Sequence, residues 1–380
     1  MKKSLVIPLM CLMVTGLGSC GEVSSNSISS LIEESVSSED IYQSKTYSYP
    51  EFADYVLLEG RREDLNDSVS FDWSGSTLNF KCDVEGKVSV NVTSGLNNYD
   101  DSEEGKCGLT LFSVFMDGER IKSNIEVDNT TKDIVLYDDV SRGVHTFSLV
   151  RQTNVYMSLA QINSISIKGK LLKADEKKAK IEFIGDSYAT GYSLQGVKEG
   201  GGYDSYYDDP IDAFAYQTGL NLNSEVMLTA LSGAGFAYGY TDFTVPFAYK
   251  YDNYFRDKTK IYNPPFTPDI VVINLGTNDV AQVGFDAYHE QIKKGVKKLV
   301  DEVFYAYGSQ MPIVYVTDET HENNDPVIKE AMEEMDDVDY RFISITTNNF
   351  KNNGHPDKAC GHQMGEDLSS ALKEYYPSIF

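Results

Sequence analysis

Cysteine, tryptophan, histidine and positive charge are all scarce in this chain. The 380 residues include five cysteines, five histidines and a single tryptophan. Lysine and arginine number 33 against 58 acidic residues, which gives a formal net charge of −25 at pH 7. A chain this acidic is not expected to bind nucleic acid or anionic lipid headgroups. The charge balance favours solubility in an extracytoplasmic space.

The few cysteines have separate interpretations. Cys82 and Cys107 fall in a β-rich region and could pair in an oxidising compartment, or could stay buried free thiols. The spacing of Cys360 fits no zinc pattern, so we interpret it as a packing residue. Cys11 belongs to the amino-terminal leader, and Cys20 lies at the end of that leader.

The apolar run at the amino terminus is too short to span a bilayer, which takes about 20 apolar residues. Lys2 and Lys3 precede this run, so residues 1–20 are predicted to be a signal peptide. Leu-Gly-Ser-Cys at 17–20 resembles the bacterial lipobox, which implies a lipid-anchored lipoprotein held on a membrane through Cys20. The alternative is an ordinary signal peptide with an incidental cysteine. Residues 21–41 are rich in Ser, Glu and Asp and are predicted to be a flexible tether.

Residues 42–172 and 173–380 follow different periodicities. The first range contains short alternating runs separated by Gly, Asn and Asp, which is typical of an all-β sandwich or barrel. The strands predicted there are 68–71, 77–80, 87–92, 109–116, 133–137, 146–150 and 162–167. Sequence pairs such as Glu85-Gly86 and Arg142-Gly143 indicate turns between them.

In the second range, strands alternate with helices. Strands are predicted at 180–184, 226–231, 269–275, 312–317 and 341–345, and helices between them. This alternation indicates a mostly parallel five-stranded sheet covered by helices on both faces, which is a three-layer α/β/α domain.

Four short motifs in the second range resemble, in the correct order, those of the SGNH/GDSL hydrolase superfamily. They are Gly-Asp-Ser at 185–187, Ser-Gly-Ala-Gly at 232–235, Gly-Thr-Asn-Asp at 276–279 and His-Pro at 355–356. The first three follow strands, and ligands of open α/β sheets bind at the carboxyl ends of the strands. A serine there can become nucleophilic if the fold brings a histidine to it.

The resemblance implies a role for each motif. Ser187 would be the nucleophile and His355 the general base and acid. The backbone N–H groups of Ser187 and Gly233, with the side-chain amide of Asn278, would form the oxyanion hole. Neither a metal nor an organic cofactor is expected. By contrast, we interpret His362 as structural.

One position departs from the superfamily. An aspartate that orients the histidine usually lies three residues before it, but this chain has Asn352 there. A neutral amide cannot stabilise an imidazolium as a carboxylate does. We therefore favour a Ser-His dyad in which a backbone carbonyl holds the ring, with Asp357 and Asp318 as the alternative acids.

Both ranges together resemble carbohydrate esterase family 2, whose members join a jelly-roll sandwich to an SGNH domain and deacetylate xylan and glucomannan. The similar segments include Phe-Asp-Trp-Ser-Gly-Ser at 71–76, Gly-Val-His-Thr at 143–146, the strand 181–187 and the run 268–279. The resemblance predicts an acetyl xylan esterase-like enzyme that acts on acetylated polysaccharides or oligosaccharides without a cofactor. Several members use a dyad, which agrees with Asn352.

Sugar recognition usually needs an aromatic surface near the nucleophile. Among the aromatic residues of 249–266, Tyr262 and Phe266 are candidates for this surface, and Asp279 is a further candidate for sugar binding. The single tryptophan, Trp73, is expected in the sandwich core. Two other functions stay open. The same site could hydrolyse lipid or thioester substrates, or the chain could be a glycan-binding lipoprotein with a vestigial hydrolase site.

Overall fold

The computed structural model describes residues 42–95, 109–201, 203–240, 244–279, 285–318, 324–335, 338–347, 352 and 354–380. The predicted signal peptide, the tether and Cys107 lie outside these ranges, so the lipid anchor stays a prediction. Of the two alternatives for Cys82, the structure has the buried free thiol rather than a disulfide, and burial raises its pKa to about 12. Within the described ranges, no helix is long and apolar enough to cross a membrane.

The amino-terminal domain is all-β, as predicted. Its strands are β1 (Ser44–Ser48), β2 (Leu57–Glu59), β3 (Val69–Ser70), β4 (Thr77–Ser94), β5 (Leu109–Met116), β6 (Glu119–Asp128), β7 (Thr131–Arg151) and β8 (Ala160–Leu172). They are joined in the order β1-β8-β4-β7-β5-β6, while β2 pairs with β4 and β3 with β8. All these pairs are antiparallel. The sandwich arrangement and the jelly-roll topology stay predictions, and we use "sandwich domain" only as a name for residues 42–172.

Two strands are longer than the sequence predicted. β4 covers both 77–80 and 87–92, and β7 covers both 133–137 and 146–150. Gly86 and Gly143, at φ 75° and 152°, do not form turns but lie where the pairing of β4 with β7 shifts register. A β-bulge and a turn both favour glycine, so the pattern could not distinguish them.

The carboxyl-terminal domain contains the predicted five-stranded sheet. Its strands are β9 (Ala179–Gly185), β10 (Ser224–Ala230), β13 (Ile270–Asn274), β14 (Ile313–Thr317) and β15 (Tyr340–Ser344), and β11 (Tyr251–Asn253) and β12 (Asp257–Ile261) form a separate hairpin. The order is β10-β9-β13-β14-β15, and every neighbouring pair is parallel. The helices are α1 (Ser187–Thr190), α2 (Phe214–Leu222), α3 (Val245–Tyr249), α4 (Phe285–Tyr307), α5 (Asp325–Glu333) and α6 (Lys358–Tyr375).

Helices cover both faces of this sheet. Val271 and Ile273 of β13 belong to one hydrophobic core, which also contains residues of α3, α4 and α5. Ile270 and Val272 point the other way and pack in a second core with α2 and α6. This alternation is the two-residue period of a strand buried on both faces. Cys360 packs in the second core, as predicted.

A buried arginine connects the two domains. Arg61, from the sandwich domain, donates from Nη1 to the carbonyl oxygens of Tyr249 (2.9 Å) and Tyr251 (3.1 Å). Its Nη2 lies 3.6 Å from the carboxylate of Glu182, in the middle of β9. Trp73, which was expected in the sandwich core, is buried instead in the core that contains Val271 and Ile273 of β13. The domains therefore share a core, and sandwich residues lie close to the strand that leads to the predicted nucleophile.

Candidate active site

Ser187 begins a short helix directly after β9. Asp186 caps this helix, since its carboxylate accepts a hydrogen bond from the backbone N–H of Tyr188 at 3.1 Å. A side chain at Gly185 would place its Cβ 2.7 Å from the Cβ of Ala189, so the helix can fold back on the strand only with glycine there. The sharp turn leaves Ser187 at the carboxyl edge of the sheet.

His355 reaches this edge from a distant part of the chain. It lies just before α6, which Asp357 caps by accepting the N–H of Cys360 at 3.0 Å. The Nε2 atom of His355 lies 2.8 Å from the Oγ of Ser187. This distance is within hydrogen-bond reach and allows the imidazole to accept the hydroxyl proton.

Two tyrosine rings contact the imidazole of His355. The ring centroid of Tyr192 lies 4.6 Å from that of His355 with an interplanar angle of 43°. The ring of Tyr188 lies at 5.5 Å and is nearly perpendicular, at 70°. Both tyrosines come from the segment that begins with the nucleophile, so a single stretch of chain supplies both the serine and the surroundings of its histidine.

Asn352 pairs with His355 through the backbone. The N–H of His355 donates to the carbonyl oxygen of Asn352 at 3.0 Å. The side-chain amide of Asn352 donates instead to the carbonyl oxygen of Leu194, at 3.2 Å. The alternative acid Asp357 caps α6, as described above. The residue at the superfamily's aspartate position therefore fixes the loop of His355.

The two remaining motifs meet Ser187 at the same edge of the sheet. Gly233, with φ 79°, follows β10, and Asn278 follows β13. The Nδ2 atom of Asn278 donates to Asp186 Oδ2 at 3.0 Å and to the carbonyl oxygen of Ala234 at 3.2 Å. The fold therefore joins the first three motifs, because the parallel strands β10, β9 and β13 end side by side, and the loop before α6 brings His355 to them.

Comparisons with known proteins agree with this architecture. The family model described as carbohydrate esterase 2 N-terminal matches residues 58–174. The curated protein Cellulase/esterase CelE of Acetivibrio thermocellus is 28% identical over 242 residues, which is 61% of this chain. The chain spans 27% of the length of that relative.

Solved structures of similar proteins cover both domains. A family two carbohydrate esterase from Clostridium thermocellum, in complex with cellohexaose, has a TM-score of 0.73 at 23% identity. The match covers 85% of this chain and 99% of that one. An acetyl xylan esterase from the rumen bacterium Butyrivibrio proteoclasticus has a TM-score of 0.77 at 14% identity, covering 88% and 99%.

The resemblance to carbohydrate esterase family 2 is confirmed. The matched family model covers most of the sandwich, and the similar structures have both domains. The relatives are named as esterases, which agrees with the prediction of a carboxylic ester hydrolase.

The structure does not place Asp279 where it could contact a sugar. Its side chain is 0% exposed, and its carboxylate accepts three backbone N–H groups at 2.8–2.9 Å, those of Phe236, Ala237 and Tyr238. The carboxylate also explains the second glycine of the Ser-Gly-Ala-Gly motif, since a Cβ at Gly235 would lie 2.4 Å from Asp279 Oδ2. Asp279 therefore holds the loop after Gly233 in place.

The two aromatic candidates also lie away from the nucleophile. Tyr262 is buried, and its ring lies 3.6 Å from the guanidinium of Arg61 in the domain junction. Phe266 lies 5.0 Å from the ammonium of Lys180, at the amino end of β9, whereas Ser187 follows its carboxyl end. A seven-residue strand is roughly 20 Å long, so Phe266 is at the wrong edge of the sheet.

The sandwich domain contributes a residue that the sequence did not indicate. Asn154, in the connection between β7 and β8, accepts a hydrogen bond from the hydroxyl of Ser232 at 3.1 Å. Ser232 lies 2.7 Å from the hydroxyl of Thr190, which donates to the carbonyl oxygen of Ser187 at 3.2 Å. All are buried, so the sandwich fixes the segments that carry Ser187 and Gly233.

A second buried group lies behind Tyr192. The carboxylate of Asp208 accepts hydrogen bonds from Tyr203 (2.7 Å), Asn154 (3.2 Å) and the backbone N–H of Ser193 (3.0 Å). Burial raises the pKa of Asp208 to about 7, and these hydrogen bonds oppose the rise. No local motif indicates this cluster, because its members come from both domains.

His362 has the structural role predicted for it. Its Nε2 lies 2.8 Å from the carboxylate of Asp212, which also binds Arg120 and Lys358. These contacts attach α6, and with it the loop of His355, to the segment that follows Asp208.

Proposed function

We propose that this chain is a serine O-acetyl esterase that deacetylates polysaccharides or oligosaccharides. The contact of 2.8 Å between Ser187 Oγ and His355 Nε2, at the edge where all four motifs meet, carries this proposal. The relatives support the substrate class, since one was solved with cellohexaose and another is named an acetyl xylan esterase. Xylan or glucomannan acetyl esters are the substrates we propose.

Acylation and deacylation each proceed through two proton transfers at His355. Ser187 Oγ attacks the acetyl carbonyl carbon while Nε2 of His355 accepts the hydroxyl proton. The tetrahedral intermediate collapses when the C–O bond to the sugar breaks, and the imidazolium returns the proton to the leaving sugar oxygen. Water then attacks the acetyl-enzyme by the same route, releasing acetate and regenerating Ser187. We propose that Ser187 and His355 act as a dyad.

The oxyanion hole in this proposal consists of the backbone N–H groups of Ser187 and Gly233 and the amide of Asn278. In the structure that amide donates to Asp186 and, by the longer bond of 3.2 Å, to the carbonyl oxygen of Ala234. Donation to the oxyanion would replace the longer bond, while the bond to Asp186 keeps the amide aligned with Ser187. Such a donor acts mainly in the transition state, because negative charge develops on the substrate oxygen only as the tetrahedral intermediate forms.

Replacing Asn278 by Ala is expected to lower kcat by about 100- to 1,000-fold and to change KM little, the effect typical of losing one oxyanion donor. Steady-state kinetics with p-nitrophenyl acetate measure both constants. Asn91→Ala is the matched control. The side-chain amide of Asn91 also donates to a carboxylate, that of Asp133 at 2.6 Å, but this pair lies on the exposed surface of the sandwich domain. Unchanged kcat in folded Asn278→Ala protein would exclude the oxyanion role.

The proposal is tested by the acyl-chain preference of the enzyme. Hydrolysis of p-nitrophenyl acetate, butyrate and octanoate is compared, followed by acetate release from acetylated xylan and glucomannan. We expect the acetyl ester to be preferred and acetate to be released from at least one polymer. Preference for octanoate would instead favour a lipase-like enzyme. The absence of ester hydrolysis, with retained glycan binding, would favour a glycan-binding protein.

We also propose that the mature enzyme is an extracytoplasmic bacterial lipoprotein, anchored through Cys20 at the cell surface or in the periplasm. The Leu-Gly-Ser-Cys sequence at 17–20 and the acidic, Ser-rich segment after it support this. Retention of a Cys20→Ala variant in the membrane fraction would argue against this anchor.

A further inference from the structure

The side chain of Asn154, in the sandwich domain, is bonded to two different segments of the hydrolase domain. Its Oδ1 accepts a hydrogen bond from the hydroxyl of Ser232 at 3.1 Å, and its Nδ2 donates to the carboxylate of Asp208 at 3.2 Å. Asn154 is 0% exposed, and Ser232 and Asp208 are buried with it. Because a single amide bonds both partners, this side chain restrains the distance between the two segments.

The bond with Ser232 bears directly on the predicted oxyanion hole. Ser232 precedes Gly233, and the peptide group between them carries the N–H of Gly233. A peptide group is planar and rigid, so a side chain that holds Ser232 also restrains the direction of this N–H. On the other side of the loop, the carbonyl oxygen of Gly233 accepts the N–H of Tyr240 at 2.7 Å. The donor is therefore held both within its own loop and from the sandwich domain.

The bond with Asp208 connects the same side chain to the segment that follows the nucleophile. Asp208 also accepts the backbone N–H of Ser193 at 3.0 Å, shortly after the helix that Ser187 begins. Asn154 therefore lies between the loop that carries Gly233 and the segment that carries Ser187, and it is connected to both. These two groups have to act on the same carbonyl group of the substrate, so their spacing affects the barrier.

The backbone of Asn154 is itself fixed by a buried arginine. Arg151 is 0% exposed, and its Nη2 donates to the carbonyl oxygens of Asn154 at 3.2 Å and of Ser158 at 2.6 Å. Its Nε donates to the carbonyl oxygen of Thr153 at 3.0 Å. One guanidinium thus organises the connection between β7 and β8, so the amide of Asn154 reaches the hydrolase domain from a fixed position.

We propose that Asn154 is a positioning residue of the esterase, through which the sandwich domain sets the spacing of the Gly233 N–H and the Ser187 hydroxyl. This inference rests on the proposed esterase function. Asn154 acts through Ser232 and Asp208. Because the oxyanion needs its donor only as it forms, this positioning lowers the barrier without tightening substrate binding. The sandwich domain then contributes to the hydrolysis of every ester, including a small one that carries no sugar.

The test removes the two hydrogen bonds of Asn154 with and without its volume. Asn154→Ala shortens the side chain, whereas Asn154→Leu keeps its approximate size. kcat and KM for p-nitrophenyl acetate are measured with the full mature chain, below the unfolding transition of each variant. Both variants are expected to lower kcat by about 10- to 100-fold, as a displacement of a catalytic group by up to about 1 Å implies. KM should stay within about twofold.

Ser232→Ala tests the same connection from its other end, by the loss of a single hydroxyl. It is expected to lower kcat by about 5- to 50-fold at constant KM. If both side chains act through one connection, the double variant Asn154→Ala/Ser232→Ala should lower kcat by no more than about threefold beyond Asn154→Ala. Losses that multiply in the double variant would overturn the inference.

Asn253→Ala is the matched control for a weakened domain junction. Asn253 is also a buried asparagine whose amide donates to a carboxylate across the junction, that of Asp72 at 2.8 Å. It belongs to β11, and its Oδ1 accepts the N–H of Phe255 in the same hairpin. Its loss is expected to leave kcat within about twofold. A fall in kcat as large as that of Asn154→Ala would mean that any weakening of the junction has this effect, and would overturn the inference.

The remaining outcomes separate this inference from the proposed function. If the Asn154 variants keep kcat within about threefold in a folded enzyme that depends on Ser187, this inference alone is wrong. A rise in KM with unchanged kcat would also overturn it, because the sandwich domain would then contribute to substrate binding. Hydrolysis that does not depend on Ser187 would overturn the proposed function and this inference together.

Discussion

Replacing Ser187 by Ala is expected to lower kcat for p-nitrophenyl acetate by about 10,000-fold or more, with no loss of stability. The alanine cannot form the acetyl-enzyme, and losing the nucleophile of such a unit typically removes nearly all of its catalysis. The hydroxyl faces His355 at the edge of the sheet, so its removal leaves the core unchanged. Initial rates and thermal unfolding of the two proteins measure both effects.

The control for this prediction is Ser369→Ala. Ser369 is also a buried serine, but its hydroxyl donates to the carbonyl oxygen of Gly365 within α6, far along the helix from His355. Its loss is expected to leave kcat within about twofold, because the hydroxyl contacts no residue of the site. Residual activity of Ser187→Ala above a tenth of the wild type would mean that another group is the nucleophile.

Replacing Asp279 by Ala is expected to reduce both stability and activity. The carboxylate accepts three backbone N–H groups, of which that of Phe236 is buried and those of Ala237 and Tyr238 are part-buried. A buried donor left without its acceptor costs about 1–3 kcal/mol, so the free energy of unfolding should fall by roughly 2 kcal/mol or more. The same bonds hold the loop that follows Gly233, so kcat should fall even where the protein remains folded. Urea unfolding and kinetics below the transition measure the two effects.

Asp133→Ala is the matched control for Asp279. Asp133 accepts a hydrogen bond from Asn91 on the exposed sandwich surface, and changes there usually alter stability by less than about 0.5 kcal/mol. If Asp279 instead binds sugar, as the sequence suggested, Asp279→Ala would raise KM for acetylated oligosaccharides and leave stability unchanged. That result would contradict the assignment made from its hydrogen bonds.

Stability and catalysis are connected in this chain through the domain junction. Arg61 reaches from the sandwich to β11 and the end of α3, and Asn154 reaches from the sandwich to Ser232 and Asp208. The hydrolase site is therefore built on both domains. The sandwich domain acts as a support for the loops that carry Ser187 and Gly233.

The aromatic residues show where reasoning from sequence was wrong. Tyr262 and Phe266 come shortly before the Asn278 motif in the chain. However, the strand β13 lies between them and this motif, so the residues before and after it are at opposite edges of the sheet. Phe266 lies near the amino end of β9, and the nucleophile follows its carboxyl end. The rings that contact His355 are those of Tyr188 and Tyr192, and these contacts span more than 160 positions of the chain.

The sequence by itself determined the two fold classes, the five parallel strands and the pair Ser187 and His355. Strand and helix periodicities are local, and each of the four motifs lies within a few consecutive residues at the end of a strand or before a helix. Only the tertiary structure decided what surrounds the pair. Whether a carboxylate, an amide or an aromatic ring lies beside His355 depends on how loops from both domains pack. Such contacts between distant residues leave no periodicity in the chain, so local patterns could not predict them.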